Sequence, residues 1–394
     1  MGVTRLLSLA VLGLCLMAPG AATARAQVSA SPSTLAGDPI SSNAQHIAIL
    51  DHGTGQLLYC RDCDVAMPPA SMSKLMTMLI VADQLRAKKI TLNTQLPVSE
   101  NAWRYGAQSD GSHMFLDINS RVRVEDLVKG VVIVSANDAC IALAEGIAGS
   151  EAAFVDLMNQ RARALGLTSA QFRNVTGLPD PDHVISSRDL ARLASIIIRD
   201  YPELYRHYAE PSFTYNGKTQ ENRNPLLGRV EGADGVKTGH TSISGYGLIG
   251  SAQLNGQRRI VVFNGLPSMA ARSVEGQRLM RAALFDFNVT SLFAKDAVVG
   301  QADVWLGSRA QVPLVASEAI SIAAHRSVRA GMSAHIVYEG PLQAPIKKGA
   351  IVAKLVVEGP GVRHEFPLAA GSKIGRANPF AKAAFGLQQM FGGG

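Results

Sequence analysis

Ser71-Met72-Ser73-Lys74, at the head of a helical run, is the stretch on which the fold and the chemistry of this chain turn. Two further strings follow it in order, Ser135-Ala136-Asn137 and Lys237-Thr238-Gly239. No second Ser-x-x-Lys or Lys-Thr-Gly occurs in the sequence. Ser-x-Asn is less exclusive, because Ser41-Ser42-Asn43 and Ser99-Glu100-Asn101 also match. The outer two strings therefore carry the specificity, and the middle one rests on its setting.

Working outward from Ser71, the chain alternates between two periods. His46 to Asp51 and Gln56 to Tyr59 flank His52-Gly53-Thr54-Gly55 and read as a β-hairpin. Pro68-Pro69 stops any strand, and from Ser73 to about Ala87 the apolar positions Leu75, Met76, Leu79 and Ile80 recur with helical spacing. Val124 to Val134 and Asn137 to Ile147 read as helices broken at Ser135-Ala136, and Phe154 to Leu165 as a third. Ser186-Ser187-Arg188-Asp189 is a capping signature for a helix that ends before Pro202. After Gly239 the period becomes two: Tyr246 to Gln253 and Arg258 to Asn264 are strands joined through Asn255-Gly256. Ser273 to Phe287 returns to helix. Central helices with antiparallel hairpins from both ends give an α+β fold.

From about Ala294 to Ile374 short alternating runs with Gly and Pro punctuation predict a small separate β-domain. The tail from Asn378 to Phe391 puts Phe380, Ala383, Ala384, Leu387 and Phe391 on one helical face and Lys382 on another. It reads either as a terminal helix docked on its own domain or as an in-plane membrane anchor. The expected division is a leader at 1–26, a catalytic domain at 27–290, the β-domain at 291–376 and the amphipathic tail at 377–394.

The leader assignment rests on Arg5, an apolar run from Leu6 to Pro19, and a small-x-small site at Ala24-Arg25-Ala26. Cys15 is preceded by bulky Leu14, which argues against a lipoprotein box. Cleavage after Ala26 removes two arginines and no acid, lowering the net charge from +7 to +5. That excess fits an anionic partner such as a membrane surface or an acidic polymer. Export and the lack of an aromatic-laced basic run exclude nucleic acid. In an oxidising compartment Cys60 and Cys63 can close a small disulfide loop, the alternative being two reduced thiols. Two cysteines with no matching pair do not make a zinc site, and no metal or other cofactor is expected. Cys140, in an apolar helical stretch, reads as a core residue.

Ser71 and Lys74 are three residues apart, which on a helix leaves their Cβ atoms about 5–6 Å apart on one face. A serine hydroxyl is a weak nucleophile until a base takes its proton. Lysine can be that base only when neutral, so its pKa must fall from about 10.4. Burial lowers it, as does a second cation, for which Lys237 is the candidate. Ser135 could relay a proton to a leaving amine, and Asn137 could hold a substrate amide or serve only as a helix N-cap. Lys237 and Thr238, at the start of a predicted strand, suit a terminal carboxylate, with Gly239 permitting close backbone approach. The backbone N–H groups of Ser71 and His240 are candidates for an oxyanion hole.

These strings resemble the signatures of the D-alanyl-D-alanine carboxypeptidases, the low-molecular-mass penicillin-binding proteins. The resemblance extends to Pro69-Ala70-Ser71-Met72-Ser73-Lys74-Leu75, Ser135-Ala136-Asn137-Asp138-Ala139 and Asp234-Gly235-Val236-Lys237-Thr238-Gly239-His240-Thr241. Gly111-Ser112-His113-Met114-Phe115-Leu116, Thr176-Gly177-Leu178-Pro179 and Asn222-Arg223-Asn224 share it. It implies a β-lactamase/transpeptidase-like catalytic domain, an antiparallel sheet with a helical cluster, covering about His46 to Phe287. It further implies removal of the terminal D-alanine from peptidoglycan pentapeptides, with Ser71 acylated, Lys74 its base, Ser135 assisting proton transfer and Lys237 holding the substrate carboxylate. Penicillin would acylate Ser71 as a substrate mimic. Arg223 and Arg272 either add to the anion-binding field or are ordinary surface and structural arginines. His183 and His240 receive no acid–base role. Members with such a β-domain and tail lie on the periplasmic face of the inner membrane.

Two rivals stand beside this reading. A class A serine β-lactamase shares the acylation parts but needs a carboxylate for deacylation, usually in a Glu-x-x-Leu-Asn string, and none occurs here. A non-catalytic cell-wall scaffold has no need of Ser71, Lys74 and Lys237 together.

Overall fold

The computed structural model describes residues 3–9, 40–107, 111–326, 329–359 and 362–377. The amphipathic tail, the lead-in before Ile40 and most of the expected leader lie outside these residues. Contacts divide the chain into two units, Ile40–Phe287 and a second formed by Asn288 onward with the N-terminal segment.

The first unit is built on a five-stranded antiparallel sheet. Its strands are β1 (Ile47–Asp51), β2 (Leu57–Arg61), β3 (Ala233–Thr241), β4 (Gly245–Leu254) and β5 (Gln257–Leu266), in the order β3-β4-β5-β1-β2. The β4–β5 connection is the predicted tight turn, with Asn255 at φ +51° and Gly256 at φ +77°. Positive φ at both central positions matches the right-handed twist of the flanking strands. β1 is buried at every position, so both of its faces are covered. The covering helices include α4 (Ser187–Asp200), packed on β1 and β5, and α5 (Met269–Phe285), packed on β4 and β5. In α4, Leu190, Ala191, Leu193, Ala194, Ile197 and Ile198 form the buried stripe. Ser186 caps it as predicted, its Oγ accepting from the Asp189 N–H at 3.2 Å. α5 begins at Met269, four residues before the expected Ser273, because Ser268 caps it by accepting from the Ala271 N–H at 3.0 Å.

The helical layer has α1 (Lys74–Arg86) at its centre, buried continuously from Lys74 to Ala82. Around it lie α2 (Asn137–Ala148) and α3 (Glu151–Ala164). A helix buried all round cannot show a one-sided stripe. Cys140 on α2 is fully buried and free. Cys60 and Cys63 are joined by a disulfide with Cα atoms 5.2 Å apart, so neither sulfur is available to a metal.

Arg259 on β5 is fully buried and ion-paired to Asp51 on β1. Its Nε donates to the Ala283 carbonyl at 3.0 Å, and Nη2 donates to Gln257 Oε1 at 2.9 Å. Asp51 Oδ1 accepts from both the amide and the hydroxyl of Thr54, each at 2.7 Å. Arg259→Met strands the Asp51 charge in the interior, and a broken buried pair costs about 3–5 kcal/mol. Urea unfolding of the variant should show that loss, and a change below about 1 kcal/mol would refute the assignment.

The second unit is largely sheet. Val298–Trp305, Gln311–Ala316, Ser333–Gly340, Ile351–Gly359 and Val362–Ala370 are its main strands. Alternation puts Val312, Leu314 and Ala316, with Ala334, Ile336 and Tyr338, on its buried face. Val3–Leu9, within the expected leader, lies antiparallel to Ser333–Gly340. Leader processing would remove that strand and leave Ser333–Gly340 at the sheet edge.

Candidate active site

A single tight turn, Ala70–Ser73, precedes α1 and presents Ser71 beside edge strand β3. Ala70 holds φ +50°, a left-handed conformation that a residue with a Cβ adopts at a cost of about 1–2 kcal/mol. The turn is clamped from two sides by glycines. A Cβ on Gly239 would lie 2.8 Å from the Pro69 carbonyl oxygen and 3.0 Å from Met72 Cγ. A Cβ on Gly177, at φ +78°, would lie 2.0 Å from the Ala70 carbonyl oxygen. The missing Cβ at Gly239 thus lets the protein's own Ser71 turn approach, a role the sequence reading did not include. The Lys237-Thr238-Gly239 string also sits in mid-strand rather than at a strand start. Small Ala233 and Gly235 conceal the first part of β3 from a search for alternation.

Lys74, fully buried, places its Nζ 3.0 Å from Ser71 Oγ. The same nitrogen donates to Asn137 Oδ1 at 2.8 Å and to the Thr176 carbonyl. Burial is the first cause that lowers the Lys74 pKa, to about 8, with the Arg223 cation pushing the same way. Two of its three contacts are to oxygens that only accept. A neutral amine satisfies both with its two N–H bonds and keeps its lone pair for the Ser71 hydroxyl proton.

Asn137 is the first residue of α2, whose cap is Ala136, so the N-cap reading of Asn137 is excluded. Its side-chain oxygen holds Lys74, and its backbone N–H donates to the Ser112 carbonyl at 2.7 Å. Ser135 has φ +68° and closes the widened helical turn Gly130–Val134. Its Oγ is buried and has no hydrogen-bond partner among the described residues. Such orphaned groups are rare in folded proteins and collect at functional sites. Next to it, Asp138 accepts from the amides of Met114, Leu116 and Ala139. The segment 112–116 is thereby pinned to the start of α2.

Lys237 is 4 % exposed, and its ammonium donates to the Thr238 carbonyl at 3.0 Å. Burial, then the neighbouring Lys74 and Arg223 cations, hold its pKa well below the ordinary lysine value. Thr238 is buried beside it, and His240 is exposed and stacks on Tyr246 with ring centres 3.8 Å apart. Arg272 is buried behind that stack, 5.6 Å from the Tyr246 ring centre. Arg223 hydrogen-bonds Ser112 Oγ. Both arginines lie near enough to Lys237 to add to the lowering of its pKa. His183 lies apart as a packed residue: its Nδ1 accepts from the Arg173 N–H at 3.2 Å, and burial lowers its pKa to about 4.

Residues 174–177 form a strap that residue types alone did not single out for a role. Asn174 Oδ1 accepts from the Thr176 N–H and hydroxyl and from the Gly177 N–H. The Val175 carbonyl accepts from Thr77 Oγ1 at 2.8 Å, and the Val175 N–H donates to Glu151 Oε1 at 3.1 Å. These bonds aim the Thr176 carbonyl at Lys74. A backbone acceptor carries no side-chain signature, so only the string Thr176-Gly177-Leu178-Pro179 could have pointed to it.

The chain is similar to proteins already characterised. Residues 31–266 match the family described as D-alanyl-D-alanine carboxypeptidase, and residues 287–376 match the C-terminal domain of penicillin-binding protein 5. D-alanyl-D-alanine carboxypeptidase DacC of Escherichia coli is 38 % identical over 319 residues, covering 80 % of each chain. D-alanyl-D-alanine carboxypeptidase DacA of Haemophilus influenzae is 36 % identical over 334 residues, covering 84 % of this chain and 85 % of its own. The crystal structure of penicillin binding protein 5 from Haemophilus influenzae superposes with a TM-score of 0.73 at 34 % identity, covering 86 % of this chain and 99 % of that one. With a serine–lysine pair set between a helical cluster and an edge strand, and with these relatives, the chain belongs to the D-alanyl-D-alanine carboxypeptidase family.

Proposed function

We propose that the protein is a serine-type D-alanyl-D-alanine carboxypeptidase that removes the terminal D-alanine from peptidoglycan pentapeptides through an acyl-enzyme. The observation that carries this reading is the buried Lys74 amine, 3.0 Å from Ser71 Oγ and lowered to about 8.

Neutral Lys74 takes the Ser71 proton as Oγ attacks the carbonyl carbon of the penultimate D-alanine. The carbonyl oxygen becomes an oxyanion facing the N–H groups of Ser71 and His240, an interaction that commonly contributes most to catalysis. The C–N bond breaks, the departing amine receives a proton through Ser135, and D-alanine leaves. Water then hydrolyses the ester, releasing the shortened peptide and restoring the Ser71 hydroxyl. Lys237, with Thr238 and the field of Arg223 and Arg272, holds the substrate's terminal carboxylate. Asn137 both keeps Lys74 in place and faces the substrate amide. β-Lactams acylate Ser71 in the same way.

Among the described residues, no carboxylate hydrogen-bonds Ser71, Lys74 or Asn137. Asp138 is engaged by three amides and Glu151 by the strap. That supports slow hydrolysis of a penicilloyl ester and a carboxypeptidase over a β-lactamase. The leader and tail sequences support export to the periplasm and attachment to the outer face of the inner membrane through residues 378–391. No described helix is long and apolar enough to cross a membrane.

Incubated with a diacyl-Lys-D-Ala-D-Ala peptide, the protein should release free D-alanine, and Ser71→Ala should release none above background. Penicillin should add its mass to the peptide containing Ser71. Fast penicillin turnover without D-alanine release would establish the β-lactamase instead. D-alanine release by Ser71→Ala at the wild-type rate would remove Ser71 from the mechanism.

A further inference from the structure

The second unit gathers unpaired cations at one end of its sheet. Two short bridges build that end, Ile346 with Ile374 and Gly307 with Arg376. The Ile346 and Ile374 backbones exchange hydrogen bonds of 2.9 and 3.0 Å. The Ser308 N–H donates to the Gly375 carbonyl, and the Ala377 N–H to the Leu306 carbonyl, each at 2.8 Å. The rib from Lys373 to Ala377 therefore runs beside the turn carrying Arg309 and beside Lys347 and Lys348. Arg309, Lys347, Lys348, Lys373 and Arg376 are all exposed. None forms an ion pair among the described residues, whereas Lys354 and Arg363, on the strands of the same sheet, are paired to Glu358 and Glu365. Two acids, Asp303 and Glu339, share this end, and Asp303 accepts from Gln311 Nε2 at 3.1 Å. Cations remain in clear excess.

The chain leaves this face at Ala377 straight into residues 378–394, which contain Phe380, Leu387, Phe391 and Lys382 and no acid. A lone apolar segment gives weak, reversible attachment, and stable anchoring takes a second signal such as a basic patch. We propose that the face formed by Arg309, Lys347, Lys348, Lys373 and Arg376 binds anionic phospholipid headgroups and is the electrostatic half of a two-part membrane attachment. This deepens, and rests on, the reading of residues 378–391 as the apolar half. The β-unit then contributes directly to membrane affinity.

The test is partition of the full-length protein onto vesicles of mixed phosphatidylglycerol and phosphatidylcholine, against phosphatidylcholine alone, at low salt. Each cation near an anionic surface contributes about fivefold, so Lys347→Gln, Lys348→Gln and Lys373→Gln together should weaken binding to the mixed vesicles about a hundredfold. Binding to phosphatidylcholine should not change. Lys354→Gln with Arg363→Gln should leave both unchanged, and penicillin labelling should match the wild type in every variant. Wild-type partition of the triple variant on mixed vesicles overturns the proposal. So does lipid-free peptidoglycan that binds the protein as tightly and depends on the same three lysines, since the ligand is then a wall polymer. Phe380→Ser, Leu387→Ser and Phe391→Ser test the apolar half separately: undiminished binding to both vesicles refutes that half alone.

Discussion

Lys74→Met should slow the acylation of Ser71 by penicillin about a thousandfold, within the range lost when a general base is removed. The shape of methionine suits the buried site, so the loss reports chemistry rather than packing. Lys74→Arg should be equally slow, because a guanidinium stays charged at any accessible pH and has no lone pair to offer. In the wild type, burial lowers Lys74 to about 8, and the proposed mechanism makes the neutral form the reactive one. The acylation rate must therefore climb as pH rises through 8: with such a pKa about one amine in a hundred is neutral at pH 6 and about nine in ten at pH 9. Arg223 is one of the cations lowering Lys74, so Arg223→Gln should move the profile to higher pH. Stopped-flow labelling with a fluorescent penicillin measures all of this. A rate flat from pH 6 to 9, or a fast Lys74→Met, would falsify the role of the amine.

Gly177→Ala should damage stability and activity together, because the added carbon has nowhere to go. It would lie 2.0 Å from the Ala70 carbonyl oxygen and 2.7 Å from Ser73 Oγ, and the first of these is backbone. The left-handed conformation at φ +78° adds about 1–2 kcal/mol for any residue with a Cβ. Overpacking of a tight interior contact adds about 1–3 kcal/mol more. Because the strap and the nucleophile turn must move apart, Ser71 shifts against Lys74, and a 1 Å misplacement costs about a hundredfold in rate. Gly217 is the control. It has φ +70° but nothing within 4 Å of its Cβ position, so Gly217→Ala should lose only the conformational part, about 1–2 kcal/mol, and no activity. Urea melts and penicillin labelling of both variants decide the matter. Equal behaviour of the two would show that the strap does not press on the turn.

Much of this unit was legible in the residues because its signals are local. The Ser186 cap and the Asn255-Gly256 turn each declare themselves within a few positions. The spacing of Ser71 and Lys74 likewise places nucleophile and base on adjoining turns. Illegible were the features made by backbone meeting backbone at long range. Gly239 read as room for a substrate backbone and Gly177 only as part of a resembling string, whereas each also lies against the Pro69–Met72 turn. Asn137 read as a cap or a substrate ligand, yet it bonds to a lysine 63 positions earlier. β3 begins with small residues that show no alternation, so its first third was invisible. What the sequence concealed, in each case, is the partner rather than the residue.

The cleft is assembled from pieces scattered along the chain, the Ala70–Ser73 turn, residues 112–116, Ser135, the 174–177 strap and β3. Covalent capture of an antibiotic therefore counts completely assembled molecules and ignores compact but misassembled ones. A labelled β-lactam becomes a folding clock for this protein, recording the moment at which the last of its distant segments docks.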